Sequence, residues 1–331
     1  MASSGPTAIY EQLTILLTLG VASHLFSKRF NQSTIIGEIV IGILLAPSLL
    51  GRFGVIVFDQ TFVQTFAALG AIFLLFLIGL ESDFRSVYTR RNFFVALGGV
   101  LAPLAFGFLT AWFLAPASAV PSGSTQFLMA IFVGATLTAT STAIAASVLL
   151  DLGLMSDEIG RTIMGAAVVD DILGLLVLSV VVGIAHGNID AVGVGLVMGK
   201  AVAFIVVGIV VGLYFFNPVV VRVQTMGLKL GVKHGGFIIA LAVALFYALI
   251  AETIGLSAII GAFLAGTLFA PAPLKEEFKD GARYLGAVFT PIFFISLGLN
   301  VNLFSVLATP AVFLFTIALL VVALVPKVAG C

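Results

Sequence analysis

The chain has 331 residues, 61% of them hydrophobic and only 9% charged, against about 45–50% apolar and about 25% charged residues in a soluble globular domain; this excludes a soluble fold and points to an all-α polytopic membrane protein. Its 15 basic residues balance its 15 acidic ones, which excludes the global charge that would suit nucleic acid or an acidic partner. The one cysteine, Cys331, excludes an intrachain disulfide and a thiolate metal cluster.

A span needs about 20 apolar residues. Apolar runs bounded by charges or Gly/Pro/Asn clusters predict eleven spans, at 8–27, 34–50, 61–80, 93–116, 126–149, 161–186, 193–217, 235–252, 255–271, 285–303 and 309–331. The first reads as a retained span, because Met1–Gln12 lacks the basic stretch of a cleaved signal. Loops after odd-numbered spans carry twelve basic residues, from Lys28 and Arg29 through Arg85, Arg90, Arg91 and Lys233 to Lys279 and Arg283, whereas the other side holds Arg52 alone. Short cytoplasmic loops are rich in Lys and Arg, so the N-terminus is expected outside a cell (inner) membrane.

Span two contains Ile35-Ile36-Gly37-x4-Gly42-x-Leu44-x-Ala46-Pro47, and span nine contains Ile259-Ile260-Gly261-x4-Gly266-x-Leu268-x-Ala270-Pro271. A looser match follows: Gly79-Leu80-x-x-Asp83-Phe84 ends span three and Gly298-Leu299-x-x-Asn302-Leu303 ends span ten, so the two offsets are 224 and 219 residues. Small residues at this spacing also serve ordinary helix packing in membranes. Two ordered matches at nearly one offset favour a repeat. Seven crossings separate spans two and nine, so the copies run in opposite directions, as in the inverted repeats of many secondary transporters. The repeat leaves spans five and six without partners, which leads to the expectation of a thirteen-span protein of which eleven spans are present.

The charges inside spans carry the chemistry. Asp170 and Asp171 lie mid-way along span six within Gly165-Ala166-Ala167-Val168-Val169-Asp170-Asp171-Ile172-Leu173-Gly174. A carboxylate at bilayer depth is costly unless neutralised, paired or hydrated. Neighbouring helical positions point about 100° apart, so one should face a water-filled cavity and the other a fixed charge. Span five holds Thr136, Thr138, Thr140, Ser141 and Thr142 among small residues, a composition that lets a helix unwind while hydroxyls satisfy freed amides; exposed carbonyls there suit a hard cation. The plainer alternative is a packing face with intrahelical hydroxyl bonds. Lys327 either snorkels to the interface or, deep in the membrane, pairs with Asp170 or Asp171. Glu38 reads chiefly as a packing or interface residue, Lys200 and Glu252 as snorkelling side chains, His24, His186 and His234 as interface residues, and Trp112 as an interface anchor.

Gly37-Glu38-Ile39 with Ala46-Pro47-Ser48, Phe76-Leu77-Ile78-Gly79-Leu80-Glu81, Thr138-Ala139-Thr140-Ser141-Thr142, Val169-Asp170-Asp171 and Gly255-Leu256-Ser257-Ala258 together resemble monovalent cation/proton antiporter family 2, and within it the NapA-type sodium/proton antiporters. The resemblance implies an inverted-repeat, NhaA/NapA-like fold, a homodimer, and a core that moves as an elevator. It divides the chain into panel or dimerisation helices (1–80 and 235–303), core helices with a broken fifth span (93–186), a linker (193–217) and the first helix of a second core half (309–331). It further implies that Asp171 binds the ion and the proton, that Asp170 partners Lys327, that Thr140 and Ser141 belong to the helix break, and that paired aspartates mark electrogenic exchange. Asp170 and Asp171 are thus the expected metal ligands.

The expected function is secondary antiport of Na⁺, and Li⁺, against H⁺, with no cofactor, no nucleic-acid partner and no enzymatic reaction. A K⁺/H⁺ antiporter or K⁺ efflux system of the same family is the alternative. No Gly-x4-Gly-Lys-Ser/Thr loop for ATP is present in the sequence. An intramembrane aspartyl protease would need its aspartates on two facing helices, whereas both lie on one here. A non-transporting membrane sensor is the remaining class.

Overall fold

The computed structural model describes residues 6–30, 32–53, 58–81, 89–116, 120, 124–185, 191–229, 235–272, 275–302, 304 and 309–330. Arg85, Lys233, His186, His234, Asp83, Phe84, Leu303 and Cys331 lie outside these residues. Every regular element among the described residues is helical. Beside a 3-10 turn, Leu50–Phe53, and a π-helical turn, Gly212–Phe216, the α-helices in chain order are α1 (Pro6–Arg29), α2 (Thr34–Leu45), α3 (Gln60–Glu81), α4 (Arg90–Leu114), α5 (Gln126–Thr138), α6 (Thr142–Asp151), α7 (Glu158–Ala185), α8 (Ala191–Val211), α9 (Asn217–Lys229), α10 (Gly235–Thr253), α11 (Ala258–Phe269), α12 (Lys275–Leu299) and α13 (Pro310–Gly330). Among the described residues, seven stretches are long and apolar enough to cross a membrane, and α2, α11 and part of α13 are shorter apolar helices.

Local chemistry moves several predicted ends. The 34–50 span stops at Leu45, because Ala46 precedes Pro47 and turns to an extended conformation (φ −52°, ψ 149°), as the proline ring disfavours a helical predecessor. The 255–271 span begins only at Ala258, where the Ser257 hydroxyl accepts from the Ile259 amide at 3.3 Å. The 193–217 span instead runs on to Lys229 through a π-helical turn, Gly212–Phe216. That continuation has lost its apolar signal and is held by tertiary bonds. Gly212 faces the Leu268 side chain, Asn217 Nδ2 donates to the Leu268 carbonyl at 3.0 Å, and the fully buried Gln224 donates to both Glu277 oxygens at 2.8 and 2.7 Å while accepting from the Gly236 amide.

Two groups of helices emerge. In one, α12 packs on α1, α2 and α3, and α11 on α3 and α10. Several of its closest approaches fall on the glycines of the sequence repeat. A Cβ at Gly42 would lie 2.8 Å from Gly298 Cα and against the Ile295 carbonyl; a Cβ at Gly79 would lie 2.8 Å from Gly266 Cα and against the Phe263 carbonyl. The reciprocal positions match, with Gly298 on the Ile39 carbonyl and Gly266 on the Phe76 carbonyl. Residues equivalent in the two sequence copies therefore make equivalent contacts, α2 with α12 and α11 with α3.

In the other group, α4 packs on α5, α7 and α13, and α6 on α7. A shared apolar cluster joins the groups: Ile35, Ile72 and Phe73 meet Ala143, Ala146, Leu149, Met164 and Val168. Glu38, expected as a packing or interface residue, is 4% exposed and has the Asp151 carboxylate as its charged neighbour.

Candidate ion-binding site

The site grows from the interruption between α5 and α6. Gly107 and Gly134 bring α4 and α5 together, a Cβ on Gly107 falling 3.0 Å from Gly134 Cα. Helix α5 starts on Thr125, whose hydroxyl accepts from the Leu128 amide at 3.2 Å, and ends at Thr138, whose hydroxyl turns back to the Ala135 carbonyl at 2.7 Å. Ala139 (φ −64°, ψ 119°) and Ser141 (φ −71°, ψ 98°) are extended. Ser141 then starts α6 by accepting from the Ile144 amide at 3.3 Å. The chain thus crosses mid-span as two half-helices, with the C-terminal end of one beside the N-terminal end of the next.

Each free end carries its partial charge: the last carbonyls of α5 are negative and the first amides of α6 positive. The side chains around them have the complementary signs. From α13, the half-buried Lys327 ammonium donates to the Thr138 carbonyl at 3.2 Å and to the Thr140 hydroxyl. From α7, half-buried Asp171 accepts from the Thr142 hydroxyl at 3.1 Å, on the first residue of α6. Asp170 is only 5% exposed. Neither of its oxygens has hydrogen-bond geometry to a described residue, yet Thr140 and the Lys327 ammonium stand close enough to act on its charge. The two carboxylates also feel one another.

Asp170, Asp171, Thr140, Ser141 and Lys327, picked out in the sequence, are therefore neighbours across α5, α6, α7 and α13. Their tasks divide more finely than the sequence suggested. Thr140 meets the lysine, Ser141 serves the backbone, and Thr142 is the hydroxyl that reaches Asp171. Sequence reasoning assigned Thr142 to the hydroxyl-rich run without a partner; it is the first residue able to be helical after the interruption, and that position was the available signal. Of the two readings of Lys327, the ammonium is turned to the helix break.

A carboxylate held by one hydroxyl at a positive helix end has lone pairs left for a small cation or a proton. Over residues 13–331 the chain matches the family model described as sodium/hydrogen exchanger, transmembrane.

The chain belongs to the sodium/hydrogen exchanger family.

This is a family of transporters, not enzymes, and a multi-pass membrane protein follows from it. The chain is 34% identical over 328 residues to a Na⁺/H⁺ antiporter of Enterococcus hirae, covering 96% of this chain and 78% of that protein. It is 31% identical over 325 residues to the Na⁺/H⁺-K⁺ antiporter GerN of Bacillus cereus, with 97% and 78% covered. The solved structure of the sodium proton antiporter MjNhaP1 from Methanocaldococcus jannaschii superimposes with a TM-score of 0.66 over 98% of this chain and 77% of that one, at 16% identity, and so shares its fold.

Proposed function

We propose that this exchanger moves Na⁺, and Li⁺ with it, against H⁺ by alternating access of one carboxylate site, Asp171. The observation that carries the reading is the pairing of opposite charges with opposite helix ends: Lys327 at the end of α5, and Asp171 on the first residue of α6. Among the described residues Asp171 has one hydrogen bond, from Thr142, so a cation or a proton completes its coordination and the two compete for the same oxygens. That competition couples the fluxes, since the site re-orients loaded with one or the other. Asp170 balances the lysine, which would otherwise be a lone cation at bilayer depth. Both aspartates are the proposed metal ligands, with Asp171 in direct contact with the ion. The ions are the cargo, and no cofactor takes part.

In this reading α4–α7 with α13 form a core that slides as an elevator against a panel of α1–α3 and α10–α12, α8 and α9 linking them. The apolar seam of Ile35, Ile72 and Phe73 against Ala143, Leu149 and Val168 suits sliding, because dispersion contacts can be exchanged for similar ones without breaking a directional bond. The crosswise glycine contacts support an inverted repeat, and the panel is the proposed face of a homodimer in the cell membrane, N-terminus outside. Paired aspartates favour electrogenic exchange. Proteoliposomes carrying an internal pH dye test this: Na⁺ and Li⁺ should dissipate an imposed proton gradient, and an imposed potential should alter the rate. Cation addition without proton flux would refute antiport.

The K⁺/H⁺ alternative is favoured by one observation, the likeness to a relative named for Na⁺/H⁺-K⁺ exchange. Equal dissipation by K⁺ in the same vesicles would select it.

A further inference from the structure

Helices α8 and α10 face each other across a gap. It is a cavity of about 330 Å³, walled by Phe204, Val207 and Val211 on one side and Phe246 and Ile250 on the other, with Lys200 among its lining residues. The groove follows α8 from Lys200 to Val211, about 16 Å at 1.5 Å per residue. The polar atom of its wall is already engaged, since the Tyr247 hydroxyl donates to the Gly208 carbonyl at 2.6 Å. Lys200 differs: it is exposed, and no hydrogen bond or ion pair joins it to a described residue.

In a bilayer an apolar groove of this length cannot hold water without leaving it short of hydrogen bonds, and an empty one forfeits dispersion along both walls. A hydrocarbon chain satisfies both. The ammonium needs an anion, and from its position near the start of α8 it can snorkel to the headgroup level of the leaflet at that end. A second copy of the chain fits less well, because a two-fold contact would bring the same lysine to the same surface.

We propose that the α8–α10 groove binds one acyl chain of an anionic phospholipid from the surrounding bilayer, with its phosphate on Lys200. Phe216 of the π-helical turn also lines the groove, so the lipid would brace α8 against α10.

Purified protein titrated with phosphatidylglycerol or phosphatidylcholine, and read by native mass spectrometry, tests the assignment. The wild type should retain phosphatidylglycerol at lower concentration than phosphatidylcholine. Lys200→Gln should weaken phosphatidylglycerol retention about five-fold and leave phosphatidylcholine unchanged, while Lys200→Arg keeps the preference. Val207→Trp, at a position exposed in the groove, should remove retention of both while thermal unfolding reports an intact fold. Equal retention of the two headgroups by the wild type, or retention untouched by Val207→Trp, would overturn the proposal. So would high-yield disulfide cross-linking between chains carrying Val207→Cys, since a second copy would then cover the groove.

Discussion

The helices around the glycine crossings and those around the helix break use polar and small residues in opposite ways. Of the most apolar window of α3, 72% is buried, against 33% of the α5–α6 stretch, and what α3 meets is backbone: carbonyls of Phe263 and Phe289 against Gly79 and Gly70. Helices so close have one arrangement. At the break, polar groups remain under-committed: among the described residues neither Asp170 oxygen has a partner at hydrogen-bond geometry, although Thr140 and Lys327 stand close, and Asp171 accepts from the Thr142 hydroxyl. The difference teaches that rigidity here comes from missing side chains, and reactivity from polar groups that the fold leaves with capacity to spare. Directional bonding that satisfied the aspartates fully would leave nothing for a cargo.

The strongest way to break this contrast is at the site. Asp171→Asn keeps volume and hydrogen bonding but removes the charge and the titrating proton, so exchange in proteoliposomes should fall at least about 100-fold, roughly 2.7 kcal/mol in barrier terms, while the melting temperature stays near that of the wild type. Appreciable exchange by this variant would move the cargo site elsewhere. The glycine crossings should answer in reverse. Gly79→Ala and Gly266→Ala each push a methyl into a facing carbonyl, at about 3 kcal/mol by the upper range for overpacking, and their crosswise counterparts Gly42→Ala and Gly298→Ala should cost about the same. Thermal unfolding of the four would expose any inequality between the two contacts.

Asp170 and Lys327 occupy middle ground. Removing one member leaves the other charge without compensation, which costs about 3–5 kcal/mol in a fully buried pair. Lys327 is only half-buried, so Asp170→Asn and Lys327→Ala should each cost about 2 kcal/mol after allowance for solvent screening. The double variant should cost less than the two together, because no orphan charge remains. Strict additivity would uncouple the pair. Asp170→Asn should also retain measurable exchange where Asp171→Asn does not.

Much of this was legible in the sequence wherever the physics is local. Pro47 and Ser257 carry the chemistry of the true helix ends, which the apolar runs to residue 50 and from residue 255 overshoot by a few residues, and hydroxyls crowded between Thr136 and Thr142 point to an interruption because Ser and Thr oxygens can satisfy freed amides. Buried charges stand out against apolar neighbours. The partners did not. That Thr142, rather than Thr140 or Ser141, meets Asp171 depends on which residue begins α6 and on the rotation of α7 against it, quantities that no spacing encodes. Likewise α9 continues past residue 217 on the strength of Gln224, Glu277 and Gly236, residues far apart in sequence whose meeting is a tertiary fact. For Glu38 the sequence left packing and interface exposure side by side, and its burial at 4% exposure separates them, because position near a span end says little about what packs over it.

The smallest expected effect separates the two regions through their surface charges. Glu81, at the end of α3, receives Arg283 at 3.1 Å and Lys279 at 4.0 Å, and the Glu81 and Lys279 side chains are only 15% and 14% exposed. On the other side, Arg91 at the start of α4 bonds Glu158 at the start of α7, with side chains 64% and 81% exposed. Coulomb attraction is comparable in form, but water and salt screen the second pair far more than the first. Two cations also converge on Glu81, and although Lys279 keeps Glu276 at 3.3 Å and Arg283, 53% exposed, keeps Asp280 at 3.5 Å, removing the Glu81 charge takes from the sheltered Lys279 the carboxylate neighbour that is equally sheltered. Glu158→Gln should therefore cost less than about 0.5 kcal/mol and lose even that at high salt, whereas Glu81→Gln should cost about 1–2 kcal/mol and keep most of it. Melting temperatures of both variants at low and high salt give the comparison. If they prove equal in size and in salt dependence, burial at the end of α3 has been overstated, and the glycine-locked helices owe nothing to their charged rim.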